Sequence, residues 1–204
     1  MKKYAVLHEP GDIVTLAGTR FVVLDVERRG SLPDSLFLLA LESVGASEFG
    51  SSNNYAESDL KKAVDKWLED MGKRGLDNAK LIPREIDLTT LDGSGCYGKL
   101  SVKAAPLTLD EARKYADIIP NAERWCWLAT GWSGPSKSDG DLALYVNSSG
   151  DWLNYYYCSN SFGIRPALKI PSDLLLDSAD KPDLSEVPTD TLLEEIRRRV
   201  VDKA

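Results

Sequence analysis

Two neighbouring apolar runs, TRFVVLDVE at 19–27 and SLFLLALES at 35–43, constrain the fold more than any other part of the chain. Both are rich in β-branched residues or Leu, and RRGSLPD between them supplies Gly30 and Pro33 as turn residues. Such a pair predicts a β-hairpin. KYAVL, ahead of the Pro10–Gly11–Asp12 turn, predicts a further short strand. From 44 to 57 the chain turns small and polar (GASEFGSSNNYAE), the composition of a loop.

Helical periodicity begins after Ser58, which has the chemistry of an N-cap. Leu60, Val64, Trp67, Leu68 and Met71 then recur on one face, and Gly72 and Gly75 are expected to end the helix. The region from 79 to 109 alternates short apolar pieces with Gly and Pro and reads as strand fragments and loops. TLDE at 108–111 is a capping box, with Thr108 as cap and Glu111 reaching back. It opens a second helix carrying Ala112, Tyr115, Ala116 and Ile119, stopped by Pro120. From 124 onward the pattern is strand-like (RWCWLAT, LALYVNSSGDWLNYYY, FGIRPALKI). Strands, helix, irregular region, helix and strands in that order predict an α+β fold with segregated elements.

At 204 residues the chain supports one well-buried domain, with 43% hydrophobic and 28% charged residues in ordinary globular proportion. The compact part is expected over 1–172. An acidic, Pro-rich linker at 173–188 and an amphipathic helix at 189–204 follow, with Leu192, Leu193, Ile196 and Val200 on one stripe. So short a helix is marginal alone; it must dock on the body, self-associate or fray. Self-association through 189–203 is one expectation.

The net charge of −7 argues against a phosphate backbone or an anionic membrane as main partner, because either requires a basic face. The start, MKKYAVLHEPGD, lacks the apolar run of a secretory leader. No window approaches the ~18 apolar residues of a membrane span. Three cysteines, Cys96, Cys126 and Cys158, do not suggest a disulfide framework. A reducing cytoplasm is the expected location, with signal-less export, as for a phage structural protein, as the open alternative.

Catalytic signals are sparse. The single histidine, His8, sits beside Glu9 and Pro10 and reads as a surface or strand-end residue. Imidazole-based general-base chemistry and multi-histidine metal sites are thereby largely removed. Cys126, between Trp125 and Trp127, reads as a small core residue, while Cys158 is left open to solvent. DGSGCYG at 92–98 opens no helix and carries no Lys-Ser/Thr, so it is a poor phosphate loop. Asp139, Asp141 and Asp151 have a superficial calcium-loop spacing without the bidentate glutamate, and a polar turn fits them better. No catalytic residue, metal ligand or cofactor is assigned.

The motifs W-x-WLAT, YVNSSG and GIRPAL, in this order and spacing, resemble an uncharacterised bacterial domain family of Gram-positive gut bacteria and their mobile elements. GDIVTLAGTRFVVLDVE, NNYAESDLKKAVDKWLEDM, AKLIPREIDLTTLDG and LTLDEARKYADIIPNAERWCWLAT extend the resemblance over about residues 8–172. That family is similar to the C-type-lectin fold of formylglycine-generating-enzyme-like proteins and of the variable proteins of diversity-generating retroelements. The resemblance implies small twisted antiparallel sheets, two helices and long irregular loops that carry a binding surface. In the variable proteins, adenine-directed mutagenesis scatters Asn-type codons into Tyr, Ser and Asp just upstream of the closing strand. NYYYCSNS has that composition and that place.

Carried onto this chain, the resemblance implies a non-enzymatic module whose 130–161 loops bind a protein or other ligand. The contact residues are Trp132, Ser133, Ser136, Asp139 and Asp141, then Trp152, Asn154, Tyr155, Tyr156, Tyr157, Ser159 and Asn160. Trp127 is expected to pack beneath the loops, and Arg165 to fix loop carbonyls or a buried carboxylate. Simple strand alternation through DWLNYYYC gives a competing expectation: Leu153, Tyr155 and Tyr157 inside, Trp152, Asn154 and Tyr156 outside. The carbohydrate-binding calcium motifs of animal lectins are absent, so sugar binding does not follow from the fold. Two alternatives stand beside this reading. One is a formylglycine-generating-type oxidoreductase using Cys126 and Cys158; the other is an assembly protein of a mobile element.

Overall fold

The computed structural model describes residues 2–4, 8–29, 32–135, 139–151 and 154–178. Among these, seven strands make one sheet and five make a second. The first contains β1 (Lys2–Tyr4), β2 (Ile13–Leu16), β3 (Thr19–Arg29), β4 (Leu32–Ala40), β8 (Ala104–Ala105), β13 (Ala167–Pro171) and β14 (Leu175–Ser178), in the order β1-β14-β2-β3-β4-β13-β8. The second runs β11-β10-β9-β12-β5 and is built from β5 (Ala46–Glu48), β9 (Cys126–Gly131), β10 (Leu142–Val146), β11 (Asn154–Tyr157) and β12 (Ser161–Gly163). A two-stranded ribbon pairs β6 (Arg84–Asp87) with β7 (Lys99–Val102). Every pairing is antiparallel except the single β12–β9 contact, Gly163 to Cys126. With helices α1 (Asp59–Lys73) and α2 (Leu109–Lys114), the chain is a mixed α+β fold.

The hairpin expected at 19–43 is the centre of the large sheet, with Phe21 opposite Ala40 and Val22 opposite Leu39. Its strands are continuous apolar runs because both faces are covered. Phe21, Val23, Leu36 and Leu38 join the core cluster that includes α1, while Val22, Leu24, Phe37 and Leu39 join a second cluster. That second cluster contains Leu109, Ala112 and Tyr115 from the α2 region and Leu128, Leu144 and Val146 from the smaller sheet.

The Ser58 side chain accepts from the Lys61 N–H at 2.9 Å, so α1 starts where its cap chemistry places it. Leu60, Val64, Trp67 and Met71 are buried on one face, with Leu68 half-buried beside them. Gly72 lies inside the helix and does not end it. The stop is Gly75, whose φ of +100° suits a left-handed C-terminal turn, with the Leu76 N–H returning to the Met71 carbonyl. The Thr108–Glu111 capping box is present in both directions. The second helix is shorter than its periodicity suggests: it ends at Lys114, with Tyr115 as C-cap, leaving Ala116 exposed and not on a buried stripe. Glu111 also pairs with the buried Arg84, which donates to the Ala105 and Pro106 carbonyls and so ties the ribbon to this helix.

Three further expectations are corrected. The 44–57 segment is not simply loop: it forms β5 and a 3-10 turn at Tyr55–Glu57, and buries Phe49, Asn53 and Tyr55. His8 is buried, not superficial, because the Pro10–Gly11 turn is drawn onto β3 by the Gly11 N–H to Val23 carbonyl bond. Its Nδ1 lies 3.3 Å from Asp12 Oδ2. Pairing also continues beyond residue 172, since β14 inserts between β1 and β2 in the region read as the start of the linker. The remainder of that linker and the 189–204 helix lie outside the described residues. No described helix is long and apolar enough to cross a membrane.

Candidate functional site

The smaller sheet carries a continuous set of aromatic side chains from core to surface. Tyr55 and Phe49 meet edge-on in the core, and Phe49 meets Trp127 at 5.6 Å between ring centroids. Trp127, fully buried, donates through Nε1 to the Ser47 carbonyl at 3.0 Å and lies 4.4 Å from the Phe162 ring. Phe162 then touches Tyr145, Trp125 and Tyr156 at 5.0, 5.4 and 5.7 Å. Trp125 stacks on Tyr145 at 5.0 Å and 22°. Trp127 thus packs beneath the surface, as the motif resemblance implies for it.

The outer rings are exposed: Trp125 by 42%, Tyr155 by 47%, Tyr156 by 42% and Tyr157 by 57%. Tyr155 and Tyr157 are therefore not core residues, and the alternation expected for DWLNYYYC is overturned. The reason is topological. β11 is the outermost strand of its sheet, paired with β10 alone, at the margin of the core that buries β9 and β10 throughout. On one face Tyr155 leans on Trp132, with centroids 3.9 Å apart. On the other, Tyr156 joins Tyr145 and Phe162.

The other expected contact residues divide. Asp141 and Ser159 are exposed; Trp132, Asp139, Asn154 and Asn160 are half-buried. Asn160 closes the turn after β11, donating from its backbone N–H and its Nδ2 to the Tyr157 carbonyl at 3.0 and 3.3 Å. Asn154 Nδ2 donates to the Asp151 carbonyl. Ser133 is a correction: it is 2% exposed and belongs to the support of the loop, held by Asn53, not to its surface. Ser136, Trp152 and Leu153 lie outside the described residues.

That support is Asn53. Its Nδ2 donates to the Ser133 and Leu142 carbonyls, both at 2.9 Å, and its Oδ1 accepts from the Tyr97 hydroxyl at 2.6 Å. Its backbone N–H donates to the Gly140 carbonyl at 3.0 Å. Gly131 allows the close approach, because a Cβ there would sit 2.8 Å from the Asn53 Cγ. One buried amide thus holds both ends of the 133–142 loop. Arg165 fixes carbonyls, donating from Nε to Ala40 at 2.7 Å and from Nη1 to Pro120 at 2.9 Å.

Asn53 was not legible in the sequence, where it is one amide in a polar stretch. Trp125 carried a usable signal, since its i,i+2 spacing from Trp127 in a strand-like run directs both rings to the same face. Cys126 and Cys158 are both buried, and burial pushes their thiols up to about 11 and about 12, Asp141 adding to the effect at Cys158. Thiols so placed are poor metal ligands and nucleophiles at neutral pH. No family model matches this chain, and no curated protein or solved structure matches it either.

Proposed function

We propose that the protein is a non-enzymatic ligand-binding module, a C-type-lectin-like scaffold whose contact surface centres on β11. Its ligand is a protein or another large molecule. The observation that carries this reading is the run of exposed rings on β11: Tyr155, Tyr156 and Tyr157, with Trp125 just ahead of β9, are the exposed large hydrophobics among the described residues. Trp125 is linked to Tyr156 through Tyr145 and Phe162. Exposed apolar rings gathered on one element mark interaction sites on soluble proteins. Tyrosine offers broad contact area at low entropic cost, and flanking Ser and Asn offer adaptable hydrogen bonds, the chemistry of antibody paratopes. Behind the rings, Asn53 and the packed Trp127–Phe162 pair provide rigid backing, which lowers the ordering cost of binding. The buried, high-pKa thiols favour this reading over thiol-based oxidoreductase chemistry.

Selection of binders from a displayed library against the immobilised protein tests the proposal. Independent binders are expected to compete with one another and to lose at least tenfold in affinity on Tyr155→Ala or Tyr156→Ala. Binders indifferent to both changes, and sensitive instead to Lys62→Ala or Glu69→Ala on the outer face of α1, would overturn it. Diversification by a retroelement has its own test in the coding DNA. A near-copy of the 130–161 region differing at adenines, beside a reverse-transcriptase gene, is expected; without both, the module is a fixed binder.

A further inference from the structure

Resting on the reading of β11 as part of a contact surface, we propose that this strand takes an extended basic peptide of the ligand as an additional strand of the smaller sheet. The starting observation is the direction of the main-chain groups. The Cys158 N–H donates to the Asp141 carbonyl at 2.7 Å, so Asp141 and Cys158 form a hydrogen-bonded pair just beyond β11. Antiparallel ladders alternate bonded and non-bonded pairs. In the observed register, Ala143–Tyr156 and Tyr145–Asn154 are then the bonded pairs, while Leu142–Tyr157 and Leu144–Tyr155 are not. Leu142 agrees: its carbonyl accepts from the Trp132 N–H and from Asn53, on the side away from β11.

The N–H and carbonyl of Tyr155 and the N–H of Tyr157 therefore face outward along the free edge. The Tyr157 carbonyl also faces outward, and there it accepts from Asn160. Natural sheets protect such edges with Lys, Pro, bulges or a covering element. At the opposite edge of the same sheet, α1 packs close to β5. Among the described residues β11 has none of these protections: its sequence is Asn-Tyr-Tyr-Tyr and its register with β10 is unbroken.

Charge selects the occupant. Exposed carboxylates stand at both ends of the strand, Asp141 opposite Cys158 and Asp151 three residues before Asn154, on a chain of net charge −7. Tyrosine faces attract Arg and Lys as well. A second copy of the same strand is a poorer occupant. Paired antiparallel, two copies of β11 would bring Asp141 of each against Asp151 of the other, so like charges would meet at both ends. A basic extended chain adds the same main-chain bonds along the edge without that repulsion, and places alternate side chains against Tyr155 and Tyr157 on one face and Tyr156 on the other.

The probe is a linear nonapeptide selected from a displayed random library on the full chain and then synthesised. The selected sequences are expected to be rich in Arg and Lys. N-methylation along the peptide is expected to cost tenfold or more at every second residue, and amide exchange at Tyr155 and Tyr157 to slow at least tenfold on binding. Tyr155→Pro, which removes one outward N–H and no ladder bond, is expected to abolish binding where Tyr155→Ala only weakens it. If that variant does not fold, the N-methyl scan decides alone. A flat scan with unchanged Tyr155 exchange, in peptides still lost on Tyr156→Ala, sinks strand addition and leaves the contact surface standing. Peptides insensitive to every tyrosine change sink both. Acidic peptides, or exchange at Tyr155 that slows with protein concentration alone, overturn the choice of occupant.

Discussion

In β3, Phe21, Val22, Val23 and Leu24 are buried in succession, whereas in β11 Tyr155, Tyr156 and Tyr157 are exposed in succession. Neither strand follows the in-out alternation of a half-buried sheet, and they depart from it in opposite directions. β3 has a strand on each side and a core cluster on each face; β11 has one neighbouring strand, and its tyrosines rest on single rings and stay about half exposed. Position within a sheet, more than residue pattern, decides whether a run without alternation is core or surface. Residue type then decides what each position tolerates, because Val and Leu gain only by burial while tyrosine carries a polar hydroxyl on an apolar ring.

Four measurements break or sharpen this contrast. The largest effect is expected at the centre of the large sheet: Leu38→Ala should cost about 2–5 kcal/mol of unfolding free energy by urea titration, and a cost below 1 would mean that the two-faced burial is misplaced. Next is the support behind the surface. Asn53→Ala deprives the Ser133 carbonyl and the Tyr97 hydroxyl of their partner and should cost about 1–3 kcal/mol, with faster amide exchange confined largely to 131–142.

Tyr157→Ala, at the most exposed ring, should change stability by no more than about 0.5 kcal/mol while weakening any selected binder. A loss comparable to Leu38→Ala would place that ring in the core after all. The smallest effect concerns the end of β3, where the apolar run gives way to charge. Burial pushes the Glu27 carboxyl up, but hydrogen bonds from Lys169 and Ser35, with the Lys169 charge, outweigh it and hold the group below its ordinary value. A depressed folded value contributes stability above the unfolded pKa, about 4.3, and that contribution is lost as pH falls through the folded value. Melting temperature should therefore fall less between pH 5 and pH 2 in Lys169→Met than in the parent; parallel curves would refute the coupling.

What was legible in the sequence was local. The hairpin at 19–43, the Ser58 cap with its apolar stripe, and the Thr108–Glu111 box depend on residues a few positions apart. The cap and the box formed where their chemistry placed them. The hairpin formed with a tighter turn than expected, its strands running to Arg29 and from Leu32, so that Pro33 pairs with Arg28 instead of turning the chain. The misses depend on distant partners. Phe49 and Tyr55 sit in a polar stretch and become core by joining a cluster drawn from distant parts of the chain, Trp127 packing edge-on against Phe49. Asn53 acquires its role from Ser133 and Leu142, 80 and 89 residues on. Exposure of all three tyrosines follows from strand order, which no window of sequence contains.

The grip of Asn53 on Ser133, Gly140 and Leu142 has a consequence for how the molecule can vary. The clasp does not read the side chains of the residues it holds: its partners at 133, 140 and 142 are main-chain carbonyls, which any residue supplies. The hold on the loop's two ends is therefore set by Asn53 alone and is lost or kept with that one amide.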